Sequence, residues 1–251
     1  TFPIRSGILM QTVGTILPQV DRLCICLNQY QAIPPELADH AKIEAVIPDR
    51  DLKDAGKFAF VPAPDAMVFT IDDDILFPPD YVARTLAAFD LLVPAGNVLG
   101  FQGNAWVFRK QENAWQWRKF LFHRPARHIT KVDILGTGTA CQLGRNLPSL
   151  DEVISAAGFV DLRHARLHAQ AGRSLWVLPR EKDEIASNMR GEYWRSSLFN
   201  SVQRARVPEM QREQLLMMRE RTPLSGLKLE QVLRRREKAS PAEAPPADRT
   251  A

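Results

Sequence analysis

The chain has 251 residues, 45% of them hydrophobic and 25% charged, with a formal net charge of +4. That length supports one α/β domain with a real core or two small ones, and the composition excludes disordered and fibrous classes. No apolar run reaches the ~18 residues of a membrane-spanning helix, no charged-then-apolar leader opens the chain, and Cys24, Cys26 and Cys141 have no zinc spacing, a pattern that suits a reducing cytosol.

Thr1 opens the sequence close to an expected strand end, which leads to the expectation of a segment from a longer protein. Residues 7–17 carry Ile8, Leu9, Val13, Ile16 and Leu17 at helical spacing and stop at Pro18, predicting a helix. Residues 22–27 read as a strand, with Cys24 and Cys26 on one side as small buried hydrophobes. A loop over 28–39, a second strand over 43–47 and a polar connection over 49–57 follow. Residues 68–71 form a short apolar strand that runs into Asp72, Asp73 and Asp74, and Pro78 and Pro79 then open a helix over 80–92. Strands are expected at 98–101, 131–135, 139–142 and 174–178, and short helices at 149–157 and 161–171. This alternation predicts an α/β fold, a mainly parallel central sheet with helices on both faces. Residues 1–182 form the single domain, 183–233 a helical extension with a charged helix over 203–221, and 234–251 a disordered tail with almost nothing to bury.

The stretch Val-Phe-Thr-Ile-Asp-Asp-Asp-Ile-Leu-Phe-Pro-Pro-Asp-Tyr over 68–81 carries the most chemical information. Acids at the carboxyl end of a parallel strand lie where open α/β sheets bind ligands. Three adjacent carboxylates repel one another, and a hard cation with oxygen ligands, Mg²⁺ or Mn²⁺, relieves that repulsion. Strand alternation lets Asp72 and Asp74 share the metal or a metal–diphosphate while Asp73 turns elsewhere. A solvated acidic turn capping the next helix is the plainer alternative.

Other residues fit the same picture. Arg5, in the loop before the first helix, is placed for a diphosphate or a base. In Lys53-Asp54-Ala55-Gly56-Lys57, Asp54 is suited to a base N–H, Gly56 to close backbone approach and Lys57 to phosphate. The loop Gly136, Thr137, Gly138, Thr139 offers backbone N–H groups and hydroxyls to an acceptor or sugar, without the spacing of a P-loop or a Rossmann fingerprint. Asp161 opens a helix, either as a plain N-cap or as a functional carboxylate. His164 and His168, four apart on that helix, have a spacing compatible with metal ligation, and His164 is expected near the metal or diphosphate.

Between Trp106 and Lys131, seven basic residues stand against the single acid Glu112 and are interleaved with Phe108, Trp115, Trp117, Phe120 and Phe122. Single-stranded nucleic acid is one partner for such a mixture. It is set aside because Asp72, Asp73 and Asp74 would repel the phosphate backbone. Residues 104–130 are expected either to be a lid that orders over a phosphorylated sugar ligand or an amphipathic helix packed on the sheet.

Together, Thr1-Phe2-Pro3-Ile4-Arg5, the helix closing on Pro18-Gln19-Val20-Asp21, Leu27-Asn28, the 53–57 loop, the Asp-Asp-Asp strand with Pro79-Asp80-Tyr81-Val82, Asp133 to Thr139, and Asp161 with Leu178-Pro179-Arg180 resemble a known group. They are similar to bacterial glycosyltransferases of the GT-A fold, the family-2-like group, over about residues 1–182. The resemblance implies a nucleotide-diphospho-sugar donor, usually a UDP-sugar, held with Mn²⁺ or Mg²⁺ by an Asp-x-Asp motif. It implies transfer to a hydroxyl of a glycan or lipid-linked acceptor in polysaccharide biosynthesis, in the cytoplasm or at the inner face of the membrane. Carried over, Arg5, Asp54, Lys57, Asp72 and Asp73 bind the donor, with Asp54 reading the base. Asp74 is the direct metal ligand beside Asp72, and Asp161 is the general base of an inverting reaction. The chain departs from the pattern where Asp161 lacks the Glu-Asp pair and is followed by Leu-Arg-His, which leaves a retaining mechanism open. A non-catalytic nucleotide-sugar or glycan-binding module of a larger assembly protein is the alternative.

Overall fold

A computed structural model describes residues 1–189, 191, 193 and 207–239. A single 3-10 turn (Pro3–Arg5) leads into α1 (Ser6–Ile16), which buries Ile8, Leu9, Val13 and Ile16 and passes into a second 3-10 turn (Leu17–Gln19) that holds Pro18. β1 (Leu23–Cys26), the short α2 (Pro35–Ala38) and β2 (Ile43–Val46) follow, with β1 and β2 paired in parallel. A 3-10 segment (Lys53–Phe58) then precedes β3 (Met67–Ile71), β4 (Ile75–Leu76) and α3 (Tyr81–Ala87). β5 (Asn97–Gly100) is followed by a hairpin, β6 (Gly103–Arg109) and β7 (Ala114–Phe120), and by β8 (Thr130–Val132), β9 (Ile134–Leu135) and β10 (Thr139–Leu143). α4 (Leu150–Val153), α5 (Val160–Gln170), β11 (Ser174–Val177), β12 (Ala186–Ser187), α6 (Val207–Glu220) and α7 (Leu229–Ala239) complete the described elements.

The fold is α/β, but the main sheet is mixed, which corrects the expectation of a mainly parallel one. Its order is β3-β10-β5-β11-β8, and only β5 and β11 run parallel. The antiparallel β3–β10 pairing opposes Ile71 to Thr139, so the acidic end of β3 lies beside the start of β10. Among the described residues β1 and β3 belong to separate sheets, and a cleft of about 130 Å³ opens between them over Leu9, Val13 and Ile16 of α1. The core is dense beneath it. Tyr81, Phe101 and Trp176 are fully buried, with Tyr81 in ring contact with Phe77 at 4.5 Å and with Phe101 at 5.3 Å.

Three further expectations change. Residues 104–130 hold a β-hairpin in seven-pair register, docked on β9 through Gly103 opposite Leu135, and neither a helix nor an unstructured loop. The expected strand over 131–135 splits at Asp133, whose buried Oδ2 accepts the Trp106 N–H at 2.6 Å. The expected disordered tail is helical through Ala239 in α7, while 240–251 and the start of the helix predicted at 203 lie outside the described residues. The described residues of the 183–233 extension pack on the domain: β12 pairs with β4, Asn188 donates to the Ile8 carbonyl, and α6 docks on α5 through Glu213 between Arg163 and Arg166 at 2.7 and 2.9 Å.

Candidate functional site

The ends of β1 and β3, the start of β10 and the first turn of α5 converge at one edge of the molecule. Lys57 lies at the centre. Its Nζ contacts Asp72 Oδ1 and donates to Thr137 Oγ1 at 3.2 Å. Thr137 in turn donates to Asp161 Oδ1 through its hydroxyl at 2.7 Å and its backbone N–H at 2.8 Å. Lys57, Asp72, Thr137 and Asp161 therefore form one connected polar chain. Burial would lower the Lys57 pKa, but the charges of Asp72 and Asp161 outweigh it and hold the ammonium well above its ordinary range. Burial raises the Asp161 carboxyl, with Lys57 and Thr137 pulling the other way.

The three adjacent acids diverge. Asp72 points to Lys57 with its side chain 43% exposed. Asp73 turns toward α1, accepting from Arg5 at 2.7 Å, and its carbonyl accepts from Thr12 Oγ1 at 2.9 Å. Burial raises the Asp73 pKa, but the Thr1 ammonium and Arg5 more than offset this, so it ends below its ordinary value. Asp74 lies 3.8 Å from Arg5, and burial with the charges of Asp72 and Asp73 pushes its carboxyl up to about 7. Gly138 is required here by contact: a Cβ would stand 2.1 Å from Asp72 Oδ2.

The remaining expected residues are placed as follows. Both Asp54 oxygens accept backbone N–H groups, from Gly158 and from Val160 at 3.2 Å, so this carboxylate caps α5 while also lining the cleft. Thr139 is buried, its hydroxyl accepting the Phe101 N–H and its carbonyl the Tyr81 hydroxyl, which makes it a packing residue. Gly136 packs on Gln102 and donates to its carbonyl. His164 is not joined to the acids. Its Nε2 contacts Gln142 Oε1 at 3.1 Å and His168 Nε2 at 3.0 Å, and burial, with Lys57, pushes its pKa down to about 3. Among the described residues no three His, Cys, Asp or Glu side chains are grouped to hold a metal, so the set Asp72, Asp74 and His164 is not assembled.

No model of a known protein family matches the chain, and no curated protein sequence matches it. The site must therefore be read from its own chemistry. Asp72, already in contact with Lys57, and Asp74 are the carboxylates a hard cation would use, since such ions are commonly held by one or two protein carboxylates with substrate phosphates and water completing the shell. Burial first, and then the charges of Asp72 and Asp73, raise the Asp74 pKa. One supporting residue, Asn28, stood in the sequence only as the end of a strand, with no role of its own. Asn28 accepts the Leu52 N–H at 2.8 Å and donates to the Lys53 carbonyl at 3.3 Å, fixing the loop that carries Lys57. Its signal was a polar side chain at the end of an apolar strand.

Proposed function

We propose that the protein is a GT-A-type glycosyltransferase that moves a sugar from a nucleotide-diphospho-sugar, best fitted by a UDP-sugar, to a hydroxyl of a glycan or lipid-linked acceptor. The observation that carries the proposal is the hydrogen-bonded chain of Lys57, Asp72, Thr137 and Asp161 beside Arg5 and Asp74. Arg5 and Lys57 meet the diphosphate as fixed cations. Asp161, with its pKa raised by burial, takes the acceptor proton, and Thr137 holds its carboxylate in orientation. A Mn²⁺ or Mg²⁺ ion on Asp72 and Asp74 would neutralise charge on the departing diphosphate when bound. A single carboxylate base at Asp161 would support an inverting reaction, and the cytoplasmic face of a membrane is where a lipid-linked acceptor would be met. No helix among the described residues is long and apolar enough to cross a membrane.

A second reading has one observation in its favour. Asp161 Oδ1 is already engaged twice by Thr137, as expected of a carboxylate that positions a loop in a binding module. Release of nucleoside diphosphate from a UDP-sugar panel with glycan acceptors separates the two. Loss of turnover by at least about a hundredfold in Asp161→Asn, with donor binding retained, supports the transferase. Donor binding without release in the wild type supports the module.

A further inference from the structure

Away from this constellation, the β6–β7 hairpin and the segment over 221–227 enclose a second cleft of about 960 Å³. The two walls are in close contact. Gly226 has φ +81°, a Cβ there would meet Val107 Cγ1 at 2.3 Å, and its N–H donates to the Lys131 carbonyl at 2.8 Å. Large aromatics stand at the open edge of the same cleft, on the hairpin face opposite Val107 and Arg118: Phe108 is 45% exposed and Trp115 53%, with ring centroids 5.7 Å apart. Arg221 lies 5.8 Å over the Trp115 ring.

Arg109, Arg118, Arg221 and Arg235 line the same space. Glu112 stands 3.5 Å from Arg109 and the buried Asp133 stands 3.6 Å from Arg221. Among the described residues, Arg118 and Arg235 have no acidic partner. Burial, and then the Arg109 charge, lower the Arg118 pKa, and its guanidinium lies 4.7 Å over the Phe120 ring. We infer that this cleft binds an anionic carbohydrate, a saccharide chain carrying carboxylate or phosphate groups. Guanidinium forks suit bidentate recognition of such groups, and the exposed Trp115 and Phe108 faces suit the apolar face of a sugar ring.

The geometry favours this ligand over other anions. The hairpin tip, Lys110, Gln111, Glu112 and Asn113, is polar, so it offers no apolar wedge to a bilayer. The exposed aromatics form one pair at one point, whereas strand-wise nucleic-acid binding uses a succession of stacking platforms. Trp106 stands three residues, or roughly 10 Å, along β6 from Gly103, which pairs beside the Gly136 loop. Occupation of the second needs none of the acids of the first.

The test uses tryptophan fluorescence and calorimetry with hexagalacturonate and a phosphorylated hexasaccharide as probes, with maltohexaose as the neutral control. At least one acidic probe is expected to bind saturably and more weakly as salt rises. Arg118→Ala/Arg235→Ala and Trp115→Ala, each verified as folded by circular dichroism, are expected to weaken it by about tenfold or more. Arg118→Lys should lose less, and Asp74→Asn should bind as the wild type does, which keeps this result separate from the fate of the transferase proposal. The inference is overturned if neither acidic probe binds, if maltohexaose binds equally, or if the variants bind unchanged. Tighter capture of phosphatidylglycerol vesicles or of an oligouridylate through the same residues would also overturn it.

Discussion

Asp74 holds its proton to about pH 7 in the folded chain, against an ordinary value of 3.8, because burial and the Asp72 and Asp73 charges disfavour its ionised form. Between these values the folded state binds more protons than the unfolded state, so this group's contribution falls as pH rises from about 4 to about 7. The full destabilisation is present above pH 7 and absent below pH 3.8. The shift would correspond to about 4 kcal/mol, and partial solvent access (the side chain is 23% exposed) reduces this to roughly 1–2 kcal/mol. Asp74→Asn is accordingly predicted to stabilise the fold by that amount at pH 8 and to change little near pH 3.5. Urea unfolding at the two pH values measures it, and an equal effect at both contradicts the assignment. Gly138→Ala acts on the neighbouring carboxylate. With its Cβ at 2.1 Å from Asp72 Oδ2, the variant must push Asp72 off Lys57, and we predict at least about a tenfold loss of donor affinity by calorimetry.

At the scale of elements, Asp54 separates two roles that its sequence context left together. As the cap of α5 it is predicted to contribute about 1–2 kcal/mol, lost in Asp54→Ala. Chemical denaturation should show that loss while donor affinity, measured at a temperature where the variant is folded, changes little. A selective loss of uridine-nucleotide affinity with intact stability would instead restore the base-reading role. The β6–β7 hairpin makes a related prediction: its backbone amides exchange slowly in the absence of donor, because the strands are joined by seven-pair register and docked on β9. Rapid exchange that slows only with donor would revive the lid. The hairpin was hidden in the sequence for a physical reason. Ala105 and Val107 face inward while Trp106 and Phe108 face outward, so apolar residues occupy both faces and the two-residue alternation disappears. The α1 and α5 segments were legible by their helical spacing, and β1 and β3 as short continuous apolar runs bounded by polar residues.

Strand pairing is a property of the whole molecule, and local pattern does not encode it. The alternation of strands and helices suggested parallel crossovers, whereas β10 enters the sheet antiparallel between β3 and β5. The site itself was more legible than the sheet. Arg5, Lys57, Asp72, Asp74, Thr137 and Asp161 come together because each sits at an element end. His164 does not, since its helix face turns into the core with Gln142 and His168. The C-terminal helices are part of the same body, as the burial of Glu213 (4% exposed) between two arginines indicates. Glu213→Ala is predicted to cost roughly 2 kcal/mol, less than a fully buried pair because both arginines reach solvent. Thermal unfolding checks this, and an unchanged midpoint would mean that α6 adds nothing to the fold.

The central claim, a metal-assisted nucleotide-sugar site on Asp72 and Asp74, is tested most directly by calorimetric titration of UDP-glucose, UDP-galactose and UDP-N-acetylglucosamine with Mn²⁺ and then with EDTA. At least one donor is predicted to bind with Mn²⁺, and to bind at least about tenfold more weakly after chelation and in Asp74→Asn. Absence of binding by all three, or binding that ignores both the metal and the Asp74 carboxylate, would contradict it.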